Sequence, residues 1–338
     1  MALQGSGQIK LSELATEFGG TAPYSLKAYY RGGGRVPANN TNVPASGAIG
    51  LKNFYNAVNR VTLSATIGAN TTETSITTSN VPGYIAGATD LTVYVSSGVY
   101  VYSTNTANPA LTLGTGFAAG DTITLINKGF IMGQGGYGGS YGTWPRLIQY
   151  GPQAGGPAIS IGYPVTIDNT NASAYIAGGG GGGYGTAPNG GQGGGGAGGG
   201  RGAVTYNQSF GQGAAGGAPG QSGADAPSTG GQTGGKGGGA GGGGAASDKT
   251  GPTGGGGGGG RILPGVGGPG VFGNFSGGAG GSANNPGATA QTGSGGGGGG
   301  WGAAGGSNGA AGGKAVALNG NTVTWVAGNT TRVYGAVS

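Results

Sequence analysis

Gly178-Gly-Gly-Gly-Gly-Gly183 is the first of five glycine-dominated runs. Gly193 to Gly200 is broken only by Ala197, Gly237 to Gly244 only by Ala240, and Gly254 to Gly260 and Gly295 to Gly300 are unbroken. The runs share nearly one length, whereas the segments between them differ widely in length and composition. That pattern describes repeated rods carrying variable loops, an architecture for display and hardly one for catalysis.

Of the 95 glycines in 338 residues, 68 lie after Ala177, so the second half cannot build an ordinary side-chain core. A glycine excess without a period commonly marks low complexity or disorder. Here strands lead into the runs and an ordinary Asn-Gly segment closes them, which favours an ordered bundle. A collagen triple helix needs bulky residues between glycines at every third position, and these runs are nearly pure glycine. What remains is the polyproline II conformation of glycine itself, with three residues per turn, about 3.1 Å rise and no internal hydrogen bonds. Runs of six to eight residues make rods of roughly 19 to 25 Å at that rise. Each N–H and C=O points sideways and must find a partner on a neighbouring rod. Because glycine loses the most backbone entropy on folding, apolar clamps are also needed, and Tyr184, Trp301, Phe272 and Phe275 are placed to supply them.

Charge is sparse. The formal total is +6, of which residues 1–60 carry +4 through Lys10, Lys27, Arg31, Arg35, Lys52 and Arg60 against Glu13 and Glu17. Elsewhere Lys and Arg form no patch, so nucleic acid is not expected as a partner. There is no cysteine and no histidine, which excludes disulfides, thiolate chemistry and imidazole metal sites. Met1 to Gly20 has no basic start followed by an apolar stretch, and no window is apolar enough to span a bilayer, so a soluble chain without a secretory signal is expected.

Four regions follow. Residues 1–60 repeat Ser6-Gly-Gln-Ile-Lys-Leu11 as Ser46-Gly-Ala-Ile-Gly-Leu51, and each copy opens a helical spacing, the first with Ser12 as a possible cap. Ser25-Leu-Lys-Ala-Tyr-Tyr30 adds a further turn. Three short helices make a marginal core, so Ile9, Leu11, Leu14, Phe18, Tyr29, Tyr30, Leu51, Phe54 and Tyr55 are candidates for docking on a partner or on copies of the chain. Simple packing of these aromatics among themselves is the bland alternative. Residues 61–176 read as β, with a hairpin expected where Leu91 to Val95 and Val99 to Tyr102 flank Ser96 to Gly98. Thr122 to Asn127 and Thr166 to Asn169 lead towards glycine, which makes 129–139 a sixth, less pure rod. Residues 177–313 form the glycine-rich domain. Residues 314–338 are expected to close it with a hairpin about Asn319-Gly320. The expected fold is thus mixed: a small helical N-terminal region, a β-rich middle, a polyglycine II bundle or sandwich, and a C-terminal β-hairpin.

Catalytic patterns are missing. Chance matches to GxGxxG abound in such a chain, and Lys236 and Lys314 are followed by Gly237 and Ala315 where a phosphate loop needs Ser or Thr. Glu13 and Glu17 sit at a spacing that suits exposure on a helix. Asp168, Asn169 and Asn171 fit a turn better than a calcium loop. No catalytic residue, cofactor or metal is assigned. Recognition is better represented between the rods, where aromatics, arginine and amides recur. The candidate receptor-binding residues are Tyr206, Asn207, Gln208 and Phe210, then Arg261, Ile262 and Leu263, then Phe272, Asn274 and Phe275. For Phe272 and Phe275 a wedge role between rods stands equally open.

The stretches Gln4-Gly-Ser-Gly-Gln-Ile-Lys-Leu-Ser-Glu-Leu14, Ser25-Leu-Lys-Ala-Tyr-Tyr-Arg-Gly-Gly-Gly34 and Ser46-Gly-Ala-Ile-Gly-Leu-Lys-Asn-Phe-Tyr55 resemble the opening of tailed-bacteriophage virion structural proteins. The glycine runs resemble the polyglycine sandwich of the adhesins that tip long tail fibres of T-even-like phages. The resemblance implies a virion protein of the tail fibre or tail tip. It would be anchored to other phage proteins through its N-terminal region and bind a host outer-membrane protein or surface polysaccharide through loops. It also leaves room for a homo-oligomer. A purely structural spike or decoration protein is the alternative, and an ice-binding protein a remote one, since the strict three-residue repeat that class favours is missing.

Overall fold

A computed structural model of the chain describes residues 3–38, 40–140, 151–185, 192–202, 213–228, 234–239, 241, 243, 256–262, 267–272, 275–291, 294–327 and 331–338. It divides into two compact units. The first holds Met1–Ala65, Thr77–Val93 and Gly116–Thr124, and the second Thr66–Ile76, Tyr94–Thr115 and Leu125–Ser338.

In the first unit α1 (Leu11–Phe18) is the one α-helix among the described residues. Ser12 lies inside it and does not cap it; the Glu13 carboxylate instead accepts the Lys10 backbone N–H at 2.9 Å. The second copy of the repeat forms a single 3-10 turn over Leu51–Phe54, where the Asn53 side-chain oxygen accepts the Gly50 N–H at 2.8 Å. A third turn, again 3-10, spans Leu26–Tyr29. The three share one arrangement. Leu11, Leu26 and Leu51 are partly buried, and Leu14, Tyr29 and Phe54, each three residues on, are buried with Ile9, Phe18, Val36, Val43 and Ala57. Residues three apart share a helical face, so each turn contributes one anchor and one shoulder. Phe54 is central, its ring 6.3 Å from Phe18 and 6.4 Å from Tyr29 edge to face. Asn40 ties the chain across this core by exchanging two hydrogen bonds of 2.8 Å with the Val58 backbone.

The strands are β1 (Val61–Ile67), β2 (Thr71–Thr72), β3 (Thr74–Thr77), β4 (Thr89–Val95), β5 (Tyr100–Tyr102), β6 (Leu111–Thr115), β7 (Thr122–Asn127), β8 (Phe130–Met132), β9 (Ile159–Ile161), β10 (Val165–Asp168), β11 (Tyr175–Ala177), β12 (Val271–Phe272), β13 (Phe275–Ser276), β14 (Val316–Ala317), β15 (Val323–Ala327) and β16 (Val333–Tyr334). Three rows have the orders β1-β4-β7-β10-β15, β2-β5-β8-β11-β16 and β3-β6-β9-β14. Leaving aside the small β12-β13 pair, successive strands visit the three rows in rotation, which is the connectivity of a coil. The boundary between the units falls inside β1, β3, β4 and β7.

Within the second unit the rows are parallel. Val101, Ile131, Ile176 and Val333 are in register along the second row, and Leu111, Leu113, Ile159, Ile161 and Val316 line the third. All nine are buried. Alternation puts Tyr100, Tyr102, Phe130, Met132, Tyr175 and Tyr334 on the other face of the second row. At its corner the buried Asn127 side chain donates to Asn169 Oδ1 at 2.9 Å, stacking one turn of the coil on the next.

Two expected hairpins are therefore corrected. β4 and β5 lie in different rows, and so do β14 and β15, which pair in parallel with β9 and β10. The turn residues do bend the chain, with Gly98 at φ 74, Asn319 at φ 50 and Gly320 at φ 82. They turn it into the next row, however, and the two arms never meet as partners.

The glycine segments continue this parallel order. After β8 and β11, the N–H groups of Gly133, Gly136 and Gly139 donate to Ala177, Gly180 and Gly183 at 2.9, 2.8 and 2.8 Å. Every third residue of 133–139 thus addresses the same neighbour. The run 193–198 shows the full pattern. Gly193 and Gly196 donate to Gly139 and Gly136, Gly194 and Ala197 to Gly296 and Gly299, and Gly195 and Gly198 to Gly257 and Gly260. Three neighbours are engaged in rotation, and Gly193, Gly195, Gly196 and Gly198 leave no room for a Cβ, while the one methyl of the run, on Ala197, packs on the buried cluster around Trp301. A Cβ built on Gly182 would lie 1.9 Å from the Tyr137 carbonyl oxygen, whereas one on Gly151 meets nothing within 4 Å. Gly182→Ala is expected to cost at least about 3 kcal/mol in thermal or denaturant unfolding, because overpacking here falls on backbone. Gly151→Ala should stay within about 0.5 kcal/mol of the parent. Equal stability of the two variants would contradict this packing.

Candidate functional site

The glycine region has two ends that differ in chemistry. At one end it rests on the outward face of the second row. Tyr100, Phe130 and Tyr175 are in register on β5, β8 and β11, with ring centroids 4.7 and 4.9 Å apart. Trp301 is fully buried 6.1 Å from Tyr175, and its Nε1–H donates to the Ile262 carbonyl at 2.8 Å. Ala197 and Ala283 pack on the same cluster. Burial and the neighbouring Tyr100 and Tyr334 push the Tyr175 phenol well above its ordinary pKa, so the ring acts as a neutral platform. Trp301 thus fills the clamp position expected from the sequence.

Arg261 sits at this same end. It is 8% exposed, with Nη1 donating to the Gly217 carbonyl at 2.7 Å and Nη2 to the Ser103 carbonyl at 2.9 Å and to Gln134 Oε1. Its guanidinium lies 4.9 Å over the Tyr102 ring. Burial pulls its pKa below the usual arginine value, an effect that the Tyr102, Glu73 and Tyr137 groups oppose. As a surface recognition residue Arg261 is thereby corrected: its head group is spent inside. Charge in a segment flanking a glycine run gave no sign of this, because the partners are two carbonyls and an amide distant in sequence.

The opposite end is traced by the lateral bonds furthest from the aromatic ladder. Gly139 bonds Gly183, Gly194 bonds Gly296, Gly138 bonds Arg201, Gly202 bonds Ala214, Ala214 bonds Gly256, and Gly243 bonds Gly278. These residues flank the segments 140–151, 184–193, 203–213, 244–255 and 291–295. Turns at the ladder end are short: Gly220 lies against Tyr100, Ala283 packs on the aromatic cluster, and Ala303 bonds back to Gly300. The described residues that bound the long unequal segments are therefore bonded to one another away from the ladder. The β12-β13 hairpin joins them, since Ser276 and Gln291 bond to each other there, and it pairs Val271 with Ser276 and Phe272 with Phe275. Val271 is 49% exposed.

The remaining candidates distribute as follows. Tyr206, Asn207, Gln208, Phe210, Leu263 and Asn274 lie outside the described residues, while Ile262 lies at the ladder end beside Trp301. Of the docking candidates, Ile9, Leu14, Phe18, Tyr29 and Phe54 form the core of the first unit. Leu11, Leu51 and Tyr55 are partly buried against it. Tyr30 is half-buried, with its hydroxyl donating to the Gly47 carbonyl. The turn reading of 168–173 is what the structure shows: Asp168 accepts from Thr170, and Asn171 from Ser173. Sequence reading passed over 141–150, with Tyr141, Trp144, Arg146 and Tyr150, which follows directly on the sixth rod.

The second unit is thus a set of glycine segments bonded laterally through their backbones and resting on parallel rows. A family model described as phage tail fibre adhesin Gp38 matches residues 61–253, more than half of the chain. The protein belongs to this family of phage tail fibre adhesins, and its place is the tail fibre of the virion. Among solved structures, the gp37-gp38 adhesin tip complex of the bacteriophage S16 long tail fiber is similar at 20% identity. That likeness covers 99% of this chain and 100% of that chain with a TM-score of 0.45. No curated protein matches the chain.

One ion pair links two segments of the bundle. Asp225 accepts the Gly237 N–H at 2.7 Å and Lys236 Nζ at 3.1 Å. The Gly237 N–H, with Lys236 beside it, holds the Asp225 carboxyl below the usual carboxylate range despite partial desolvation. A depressed carboxylate contributes stability above its unfolded pKa and loses it as pH falls through the folded one. Asp225→Asn should therefore lower stability slightly at pH 7, by less than about 1 kcal/mol for so exposed a pair. The difference from the parent in unfolding curves should shrink steadily as pH falls below the ordinary carboxylate range; a difference that does not shrink on acidification would refute the assignment.

Proposed function

We propose that this adhesin binds the host cell surface through the segments at the far end of a polyglycine II sandwich, and is held in the fibre by its first unit. The observation that carries the reading is the asymmetry of the two ends, short turns on the aromatic ladder and long unequal segments opposite. The threefold rotation of hydrogen-bond partners along 193–198 supports the polyglycine II geometry, which has three residues per turn. The receptor is an outer-membrane protein or a surface polysaccharide. Tyr206, Asn207, Gln208, Phe210, Phe272, Asn274 and Phe275 are the contact residues favoured, joined by Tyr141, Trp144 and Arg146.

Binding without catalysis fits the acidic residues. Glu13, Glu17, Glu73, Asp90, Asp121, Asp168 and Asp225 are all engaged in structural hydrogen bonds. The full chain should bind susceptible cells and block phage adsorption. Replacing 203–212 and 271–276 by Gly-Ser segments of equal length should reduce that block at least tenfold. Undiminished block would sink the loop assignment, and no binding by the parent chain would favour a purely structural spike.

For anchoring, the three turns of the first unit each hold a leucine, Leu11, Leu26 and Leu51, half out of the core. They are suited to an apolar partner surface on another tail protein. Leu51→Asp should leave cell binding by the free chain unchanged while lowering its incorporation into particles, measured by mass spectrometry of purified virions. Normal incorporation would count against docking through this surface.

A further inference from the structure

We infer that Arg261 is the positioning residue for the recognition end: one buried guanidinium fixes the relative register of the rods that carry segments 141–150, 203–212 and 244–255. The inference rests on the proposed function of those segments. Its basis is which rods the side chain joins. Arg261 ends the run that descends from 244–255. Its Nη1 bonds Gly217, in the rod that descends from 203–212. Its Nη2 bonds Gln134, in the rod that rises to 141–150. Gln134 Nε2 in turn donates to the Gly199 carbonyl at 3.0 Å, at the foot of the short rise through Arg201 into 203–212. The third tie, from Nη2 to the Ser103 carbonyl, holds the group to the chain just beyond β5, and the Tyr102 ring beneath it fixes its plane.

Glycine rods have no side chains to set how far one slides along another, and a lateral backbone bond recurs every third residue. A slip of three residues would therefore restore most of the backbone bonds. A fork of fixed geometry, reaching two rods and the β-row at once, does not tolerate that slip. Among the described residues no carboxylate pairs with it; its acceptors are carbonyl oxygens and an amide, which hold direction as well as charge. Arg261 thus acts on recognition through geometry, about one rod length away from the segments it aligns.

The experiment uses the full chain and measures its affinity for susceptible cells alongside its thermal unfolding. Arg261→Met keeps length and apolar contact but removes every directed bond. It should weaken cell binding at least tenfold at temperatures well below its unfolding. Val333→Ala, a buried change in β16 away from these partners, serves as the stability control and should bind within twofold of the parent. Arg261→Lys, which keeps charge but not the fork, should recover only part of the loss. Should Arg261→Met not fold, Gln134→Leu carries the test, with an expected loss of several-fold. Where both fold, the double variant should bind no more weakly than Arg261→Met alone. Binding within twofold of the parent by Arg261→Met and Gln134→Leu, while replacement of 203–212 abolishes it, overturns the positioning role and leaves the loop reading intact. Undiminished binding after replacement of 203–212 and 271–276 overturns the loop reading itself.

Discussion

The lateral hydrogen bond between glycine segments, N–H of one to C=O of the next, is the interaction on which the rest of this molecule depends. A segment without internal hydrogen bonds must place every buried N–H and C=O on a neighbour. Each such bond contributes only about 1 kcal/mol net, and glycine loses more backbone entropy on ordering than any other residue. The bundle is therefore stable only when rods are close enough for nearly every bond to form, and closeness excludes Cβ. The sequence requirement for glycine follows from spacing in the bundle more than from the backbone angles of any one residue.

Such a bundle cannot start itself, because nothing in a glycine chain selects its neighbour. The parallel rows supply the choice. Tyr100, Phe130 and Tyr175 stack in register, and the strands that carry the latter two run on as rods with the same neighbours: Gly133 continues the ladder to Ala177, and Gly136 and Gly139 continue it to Gly180 and Gly183. Strand spacing in a sheet is about 4.8 Å, a distance at which bare glycine backbones can also bond side by side. A parallel row also has to carry its chain away and back between neighbouring strands. Long excursions can therefore be inserted after β8 and β11 without breaking a pairing, whereas a tight antiparallel hairpin leaves no such opening.

What the sequence disclosed and what it concealed divide along the same line. Glycine runs, the lateral bonding of 133–139 and the Trp301 clamp were legible because absence of a side chain, or one large side chain among none, is itself the signal. The two hairpins were misread because Ser96 to Gly98 and Asn319-Gly320 report a local bend, while the partner of each arm is set by the row in which its strand lies. Helical spacing in the first unit was real, yet it marked Leu14, Tyr29 and Phe54 as core, and only the leucines three residues earlier face outward in part. Arg261 was the least legible. An arginine beside a glycine run looks exposed until its acceptors, from Ser103, Gln134 and Gly217, are brought to it by the fold.

The threefold rotation of partners also explains how one scaffold tolerates change at one end and none along its length. Because the partners of successive residues along 193–198 alternate among three neighbours, one residue added within such a run turns each N–H that had faced one neighbour towards another. The register of three adjoining rods is lost together, and no side chain is present to absorb the error. A residue added beyond Gly139 or before Gly256 lies past the outermost of those bonds and disturbs none of them. The geometry of the backbone leaves insertions outside the bonded runs as the ones that break no lateral bond. For a protein whose task is to meet a cell surface, that separates what must be kept from what can be altered.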